Sequence, residues 1–353
     1  MASMERNKQH LRVCLVSDHT YLPDFIGGRE NSIDELARLL SFDGHDVTVI
    51  ANRGSLIDIP RRLVKRVLCK FPYTVFRVKN ERAFAENFLR NNSADFAIYN
   101  VAGAFSYISE DADIRKRQIF FIRGARDLTL SQCKPFTDIR FISNSNFIAD
   151  IIMSKIGRRP FIFPPIIIKD KFKASHIGKN VTFVNPIEEK GLSRALSIAQ
   201  LLSEFKFLFV EAWSINNDYR KFLLSEINRI GNIELMSETM NPRQIYERTK
   251  VLIVPSICEE AFGRVAMEAQ INGIPVVATN IGGLPESVGN GGILIDQEAS
   301  MESWAHAVRS LMQDEILWSS FSTKALLHAE TFLELNRLRS YEFIEWLKNH
   351  QNH

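Results

Sequence analysis

The chain contains no run approaching the ~18 apolar residues of a membrane-crossing helix, so none is expected. Its first residues, MASMERNKQHLRVCLVS, are charged and lack the apolar stretch of about 7–15 residues that marks a secretory leader. A cytoplasmic protein is therefore expected. Cysteine is sparse. Cys14, Cys69, Cys133 and Cys258 are scattered without CxxC spacing, which argues for free thiols in a reducing compartment and against a zinc site. There is no HExxH and no clustered histidine, so no metal centre is expected. Internal repeats and low-complexity tracts are also absent.

What remains is ordinary globular composition, 45% hydrophobic and 24% charged. At 353 residues the chain exceeds one usual core and fits two domains. The net charge of +3 conceals an asymmetry. Residues 1–165 carry 25 Lys/Arg against 18 Asp/Glu, whereas residues 166–353 carry 19 against 23. A basic half joined to an acidic half suggests different partners for each.

Short apolar runs punctuated by helical patterns fill both halves. LRVCLVS (11–17) reads as a buried strand, NSIDELARLLSFDGH as a helix stopped at Gly44, and DVTVIAN as a second strand, a unit that builds parallel sheets. FAIYNV, QIFFIRG and IRFISNS continue the strands, and NFIADIIMSKIG reads as a helix. Pro164-Pro165 fits neither a helix nor a central strand, so the domain boundary falls there. The second half repeats the alternation, with strands at VTFVNP, FKFLFVEA, VLIVPS, IPVVATN and GILID. Helices are expected at GLSRALSIAQLLSE, PRQIYERTK and GRVAMEAQIN, and the tail 301–353 reads as helical. The expectation is an α/β protein of two parallel-sheet domains, 1–165 and 166–330, with a cleft between them and a C-terminal helix, 331–353, returning to the first. Ligands of such sheets bind beyond the carboxyl ends of the strands.

The stretch SICEEAFGRVAMEAQINGIPVVATNIGG, Ser256 to Gly283, follows one such end. A helix near Gly263–Asn272 turns its first free N–H groups toward a ligand phosphate, and Gly263 opens the backbone to close approach. Glu260 and Glu268 are eight residues apart, on the order of 12 Å along a helix and just over two turns. Two carboxylates flanking a diphosphate site suit a nucleoside diphosphate sugar, which has hydroxyl-rich rings at both ends. An arbitrary pair of this kind is usually two solvated helix charges; the place of these two after a strand and beside Gly263 favours the ligand.

PSICEEAFGRVAMEAQINGIPVVATNIGGLPE closely resembles the E-x7-E region of family 4 glycosyltransferases. YLPDFIGGRENSIDELARLLSFDGHDVTVIA, VTFVNPIEEKG, ISNSNFIADII and FIFPPIIIKDKF resemble further segments of that family, so the likeness covers most of residues 11–300. It implies a GT-B fold and a retaining, metal-independent glycosyltransferase with no cofactor. The donor is a UDP- or GDP-sugar, and the acceptor is a glycan, lipid-linked or small-molecule hydroxyl. By the family pattern Glu268 binds ribose and Glu260 orients the donor sugar. The backbone of Ala261, Phe262 and Gly263 meets sugar hydroxyls, and that of Arg264, Val265 and Ala266 meets phosphate. Lys190 neutralises the departing diphosphate, and Gly27 and Gly28 form a loop approaching the donor or acceptor. Residues 237–241 are placed beside the base.

Two departures stand out. Where many members carry G-R-L-x-x-x-K-G, this chain has Asn185-Pro186, a version also found in the family, so that Lys190 and the helix amides do more or Arg264 compensates for the missing charge. Where many members have a histidine facing the donor sugar, this chain has Asn100 and Arg123, with Arg123 or His19 as the replacement. Residues 60–71, PRRLVKRVLCKF, read as a basic amphipathic helix. They form a solvated face, a dock on an anionic membrane surface, or a patch steering an acidic acceptor. No RNA-binding motif accompanies them, so nucleic acid is not expected. Other readings are a GT-B-fold epimerase or hydrolase of nucleotide sugars, and a binder that has lost turnover.

Overall fold

The computed structural model describes residues 9–25, 27–54, 70–125, 129–211, 217–239 and 241–351. The basic segment 60–71 lies outside the described residues up to position 69. The chain divides into two compact units, Met1–Ile166 with Asn336–His353, and Ile167–Leu335.

Among its described residues the first unit carries seven strands: β1 (Arg12–Ser17), β2 (Asp46–Asn52), β3 (Thr74–Val78), β4 (Phe96–Asn100), β5 (Gln118–Ile122), β6 (Arg140–Ser143) and β7 (Phe161–Ile162). They pair in the order β3-β2-β1-β4-β5-β6-β7, all parallel. β4 and β5 are buried at every position, as expected where helices cover both faces of a sheet. The helix Gly28–Phe42 turns Ile33, Leu36, Ala37 and Leu40 onto this sheet, the i, i+3, i+4, i+7 face of a helix. Phe343, Ile344 and Leu347, near the end of the 35-residue helix Glu315–Asn349, join the same core, with the Phe343 ring 4.6 Å from that of Phe163.

Among its described residues the second unit has six parallel strands: β8 (Asn180–Val184), β9 (Phe207–Val210), β10 (Ile233–Met236), β11 (Thr249–Val254), β12 (Val276–Thr279) and β13 (Gly292–Ile295), in the order β10-β9-β8-β11-β12-β13. In each unit the strand order runs outward from a central strand and then reverses. The switch points are β1/β4 and β8/β11, and ligands of open α/β sheets sit beyond the carboxyl ends of such pairs.

Three strands went unforeseen. β7 is two residues long and ends before Pro164, so its apolar run reads as linker; β3 and β10 are short edges of mixed burial. The helix Asn217–Ile230 buries only Leu223 and Ile227, too thin a stripe to register as periodic. Gly28 is a correction: it is the first helical residue rather than part of a loop, with Gly27 as its N-cap. The helix expected from Gly263 to Asn272 is Arg264–Gln270, because Gly263 is left-handed at φ 90° and cannot continue a right-handed helix.

Candidate functional site

The β8/β11 switch point carries the charges. After β8 the chain turns through Asn185, held at φ 66°, and Pro186, then through a short 3-10 turn, Glu188–Lys190. Asn185 donates its N–H to Val210 O (2.7 Å), while Tyr219 donates its hydroxyl to Pro186 O (3.0 Å). Gly191, at φ 87°, lies so close to Pro255 O that a Cβ would overlap it. This contact sets the turn against the end of β11. Lys190 Nζ donates to Glu260 Oε1 at 2.6 Å, and Ser256 Oγ donates to the same oxygen at 2.8 Å. Both partners of the ion pair are mostly shielded, with side-chain exposures of 25% and 14%.

The backbone of Glu260 is fixed by the glycine pair that follows β12. Gly283 N–H donates to Glu260 O at 2.7 Å. A Cβ on Gly282, which sits at φ 59°, would lie 2.6 Å from Glu260 O and 2.8 Å from its N. Gly283 presses in the same way on Ala261 O. Gly263 has a reason internal to the fold: its φ is left-handed, and a Cβ would lie 2.6 Å from Leu284 Cδ2. Phe262 is buried and its ring packs 5.3 Å from Phe332; Val265 also packs on that core. These two therefore present backbone rather than side chain to any ligand.

Five residues beyond Gly263, Glu268 accepts the hydroxyl of Tyr246 at 2.8 Å and lies 3.5 Å from Arg264 Nε. Tyr246 is 1% exposed. Burial first, and the neighbouring Glu268 second, hold its hydroxyl protonated well above the ordinary tyrosine range, so it stays a donor. Arg194 adds a guanidinium nearby, with Nη2 donating to Gln297 O at 2.9 Å and Nη1 3.5 Å from Ser256 O.

The second unit thus brings together Asn185, Lys190, Glu260 to Val265 and Glu268. Gly27, Gly28 and Arg123 belong to the first unit, where Arg123 stacks its guanidinium 3.8 Å over the Phe121 ring. Of the 237–241 loop, residue 240 lies outside the described residues. The chain's Asp-x-Asp triplet serves a helix start, with Asp111 Oδ1 accepting from the N–H groups of Asp113 and Ile114. Sequence reasoning missed Ser256 and Tyr246. Ser256 sat in the quoted motif, four residues before Glu260; nothing marked Tyr246 within PRQIYERTK.

Comparison with known proteins places these residues in a family. Residues 168–327 match the model for glycosyl transferases group 1. The chain carries a group 1 glycosyltransferase domain. A stretch of 90 residues is 41% identical to the D-inositol 3-phosphate glycosyltransferase of Corynebacterium glutamicum (strain R), covering 25% of this chain and 21% of that relative. The match thus spans about a fifth of the relative's length. Among solved structures, Anabaena HepE in complex with UDP-glucose superposes at TM-score 0.75 and 18% identity, covering 94% of this chain and 99% of that one. A sucrose-phosphate synthase from Thermosynechococcus elongatus superposes at 0.77 and 14%, covering 96% and 99%. These likenesses give the fold: two parallel-sheet units of the GT-B type. No helix among the described residues is long and apolar enough to cross a membrane.

Proposed function

We propose that this group 1 glycosyltransferase domain works within a retaining enzyme. The enzyme moves a sugar from a UDP- or GDP-sugar to a hydroxyl of a glycan, a lipid-linked acceptor or a small molecule, without metal and without a cofactor. The observation that carries the reading is a pair of mostly shielded carboxylates, Glu260 and Glu268, one on each side of the left-handed Gly263 and each held by a specific donor. Charge-assisted hydrogen bonds to sugar hydroxyls need acceptors fixed in this manner.

Glu268, oriented by Tyr246, accepts the ribose hydroxyls. Lys190 leaves Glu260 for the diphosphate, whose charge exceeds that of one carboxylate, and Glu260 then accepts hydroxyls of the donor sugar. As the bond to the leaving phosphate breaks, the ammonium stabilises the charge that develops there. The incoming hydroxyl attacks from the leaving-group face, and the donor phosphate takes its proton. Arg264 and Arg194 supply positive charge where the arginine of other family members would stand, since Asn185 holds that place.

The test is a transfer assay with UDP-glucose, UDP-N-acetylglucosamine and GDP-mannose in excess EDTA. It is read by nucleotide release and by NMR of the product anomer. The expected result is turnover with retained α configuration, abolished in Glu260→Ala. An inverted product would refute the retaining reading, and release of nucleotide with an epimerised free sugar would favour the epimerase. Nucleotide binding without turnover on any acceptor would favour a binder.

A further inference from the structure

The turn that carries Lys190 is held by a side chain for which the donor reading has no use. It begins at Asn185, whose φ of 66° is left-handed, and a residue other than glycine stays there only where its surroundings fix it. The Asn185 side-chain oxygen does not brace the turn, since Oδ1 is buried without a donor. Asn185 O accepts from Ile187 N–H at 2.8 Å, which closes a three-residue turn around Pro186. Proline's fixed φ suits the centre of such a turn. Ile187 O then accepts from Lys190 N–H at 3.1 Å, and Glu188 O from Gly191 N–H at 2.8 Å. Glu189 O accepts from Ile257 N–H at 3.3 Å and from Cys258 N–H at 3.4 Å, on the loop that leads to Glu260. A tilt of this turn therefore moves Lys190 relative to Glu260.

The carbonyl at the centre of the turn, Pro186 O, is gripped from a distant segment by the Tyr219 hydroxyl at 3.0 Å. Tyr219 stands in the first turn of the helix Asn217–Ile230, and its ring packs against the core of the second unit. The next residue, Arg220, donates to Glu211 Oε2 at 2.9 Å, just past β9. Two adjacent side chains thus tie the start of this helix to the ends of β8 and β9, which pair with Val184 beside Val210. Burial first, then the charges of Glu188 and Glu189, hold the Tyr219 hydroxyl above the ordinary tyrosine range, so it stays protonated and remains a donor.

We propose that Tyr219 is a positioning residue for Lys190. Its hydroxyl fixes the Pro186 carbonyl, the turn carries that constraint on to Lys190, and the ammonium is thereby aimed at the diphosphate of the donor. Proline stands at 186 where many family members carry arginine, so the cation of this turn is Lys190, and its aim sets the charge the turn delivers. Tyr219 itself touches no substrate. The inference rests on the proposed reading of the second unit as a nucleotide-sugar site.

The test is a double-mutant cycle on the full chain with Tyr219→Phe, Lys190→Ala and the two combined. The probes are UDP and GDP without metal, titrated by ligand-observed NMR, which reads affinities as weak as millimolar. Tyr219→Phe should weaken binding of the nucleotide that the wild type takes by about fivefold or more, the loss of one hydrogen bond. Once Lys190 is alanine, the same substitution should change affinity by less than about twofold. A tyrosine with a merely structural role would weaken binding equally in both backgrounds, and that result overturns the proposal. Affinity in Tyr219→Phe equal to that of the wild type overturns it as well. Tyr219→Leu removes the ring along with the hydroxyl. If affinity falls in Tyr219→Leu but not in Tyr219→Phe, ring packing holds the turn and the proposal fails while the donor site stands. Absence of binding of either nucleotide to the wild type is instead a failure of the donor-site reading, and the proposal falls with it.

Discussion

Replacing Tyr246 by Phe removes one oxygen and nothing else. In the native chain that hydroxyl is buried and donates to Glu268 at 2.8 Å. A hydrogen bond to a charged group contributes about 1.5–3 kcal/mol, and here the acceptor is largely shielded, so the loss falls in that range. For a unit of this size each kcal/mol moves the melting temperature by about 2–4 °C, so Tyr246→Phe should melt about 3–12 °C lower. Function should change as well. The Glu268 carboxylate then keeps the Arg264 guanidinium, at 3.5 Å, but loses the donor that fixes its orientation. If its orientation matters to a ribose, nucleotide affinity should fall by about tenfold, roughly 1.4 kcal/mol. Differential scanning fluorimetry and isothermal titration of the same variant read both quantities. A lower melting temperature with unchanged affinity would refute the ribose role of Glu268; unchanged values of both would refute the energetics assigned to the hydrogen bond.

Other perturbations have definite signs. Glu30 has a raised carboxyl pKa in the folded chain, with burial its largest cause. A raised folded value means that its contribution is fully present below the unfolded pKa and is lost as pH rises through the folded one. Glu30→Gln, which can still serve the first helical turn, should therefore leave stability unchanged near pH 4 and increase it at pH 7–8, measured as melting temperature against pH. Asp95 behaves oppositely. Partial burial raises its pKa, but hydrogen bonds from the Arg12 side chain and N–H, with the Arg12 charge, outweigh that and lower it, so its contribution is lost as pH falls through the folded value. Asp95→Asn should cost stability at pH 7 and nothing near pH 2. Gly282→Ala meets both a left-handed φ and the Glu260 backbone, so it should destabilise by more than the ~1–2 kcal/mol of the φ alone and reduce turnover with it. Lys190→Ala removes a mostly shielded ion pair that still reaches water on the Lys190 side and leaves Glu260 with the Ser256 hydroxyl, so its cost to stability is about 1 kcal/mol, the upper end of the range for pairs in contact with solvent. Turnover should fall about 100-fold or more, with little change in melting temperature.

Most of the fold was legible because its strands are short apolar runs buried on both faces. DVTVIAN became β2 without a residue's difference, and FAIYNV and QIFFIRG each ended within two residues of β4 and β5. The elements that escaped, among them β3, β7, β10 and the helices Glu81–Arg90 and Asn217–Ile230, bury too few residues to leave a period in the sequence. The site was legible as a motif but not as a mechanism of support. Gly282 and Gly283 end the quoted motif, yet that they press on the Glu260 and Ala261 backbone is a long-range contact no spacing reveals. Tyr246 comes from a separate short helix, and Tyr219 reaches the Pro186 carbonyl from another. Such partners are set by tertiary packing, which local sequence does not encode.

The most direct measurement is thermal stability of the wild type and Glu268→Ala against UDP, GDP, ADP and TDP without metal. A ligand that binds only the native state stabilises it by about 2.7 kcal/mol at 100 times its Kd. A donor site at the β8/β11 switch point predicts a shift with UDP or GDP that disappears in Glu268→Ala. A shift that persists in the variant, or none with any nucleotide, would contradict it.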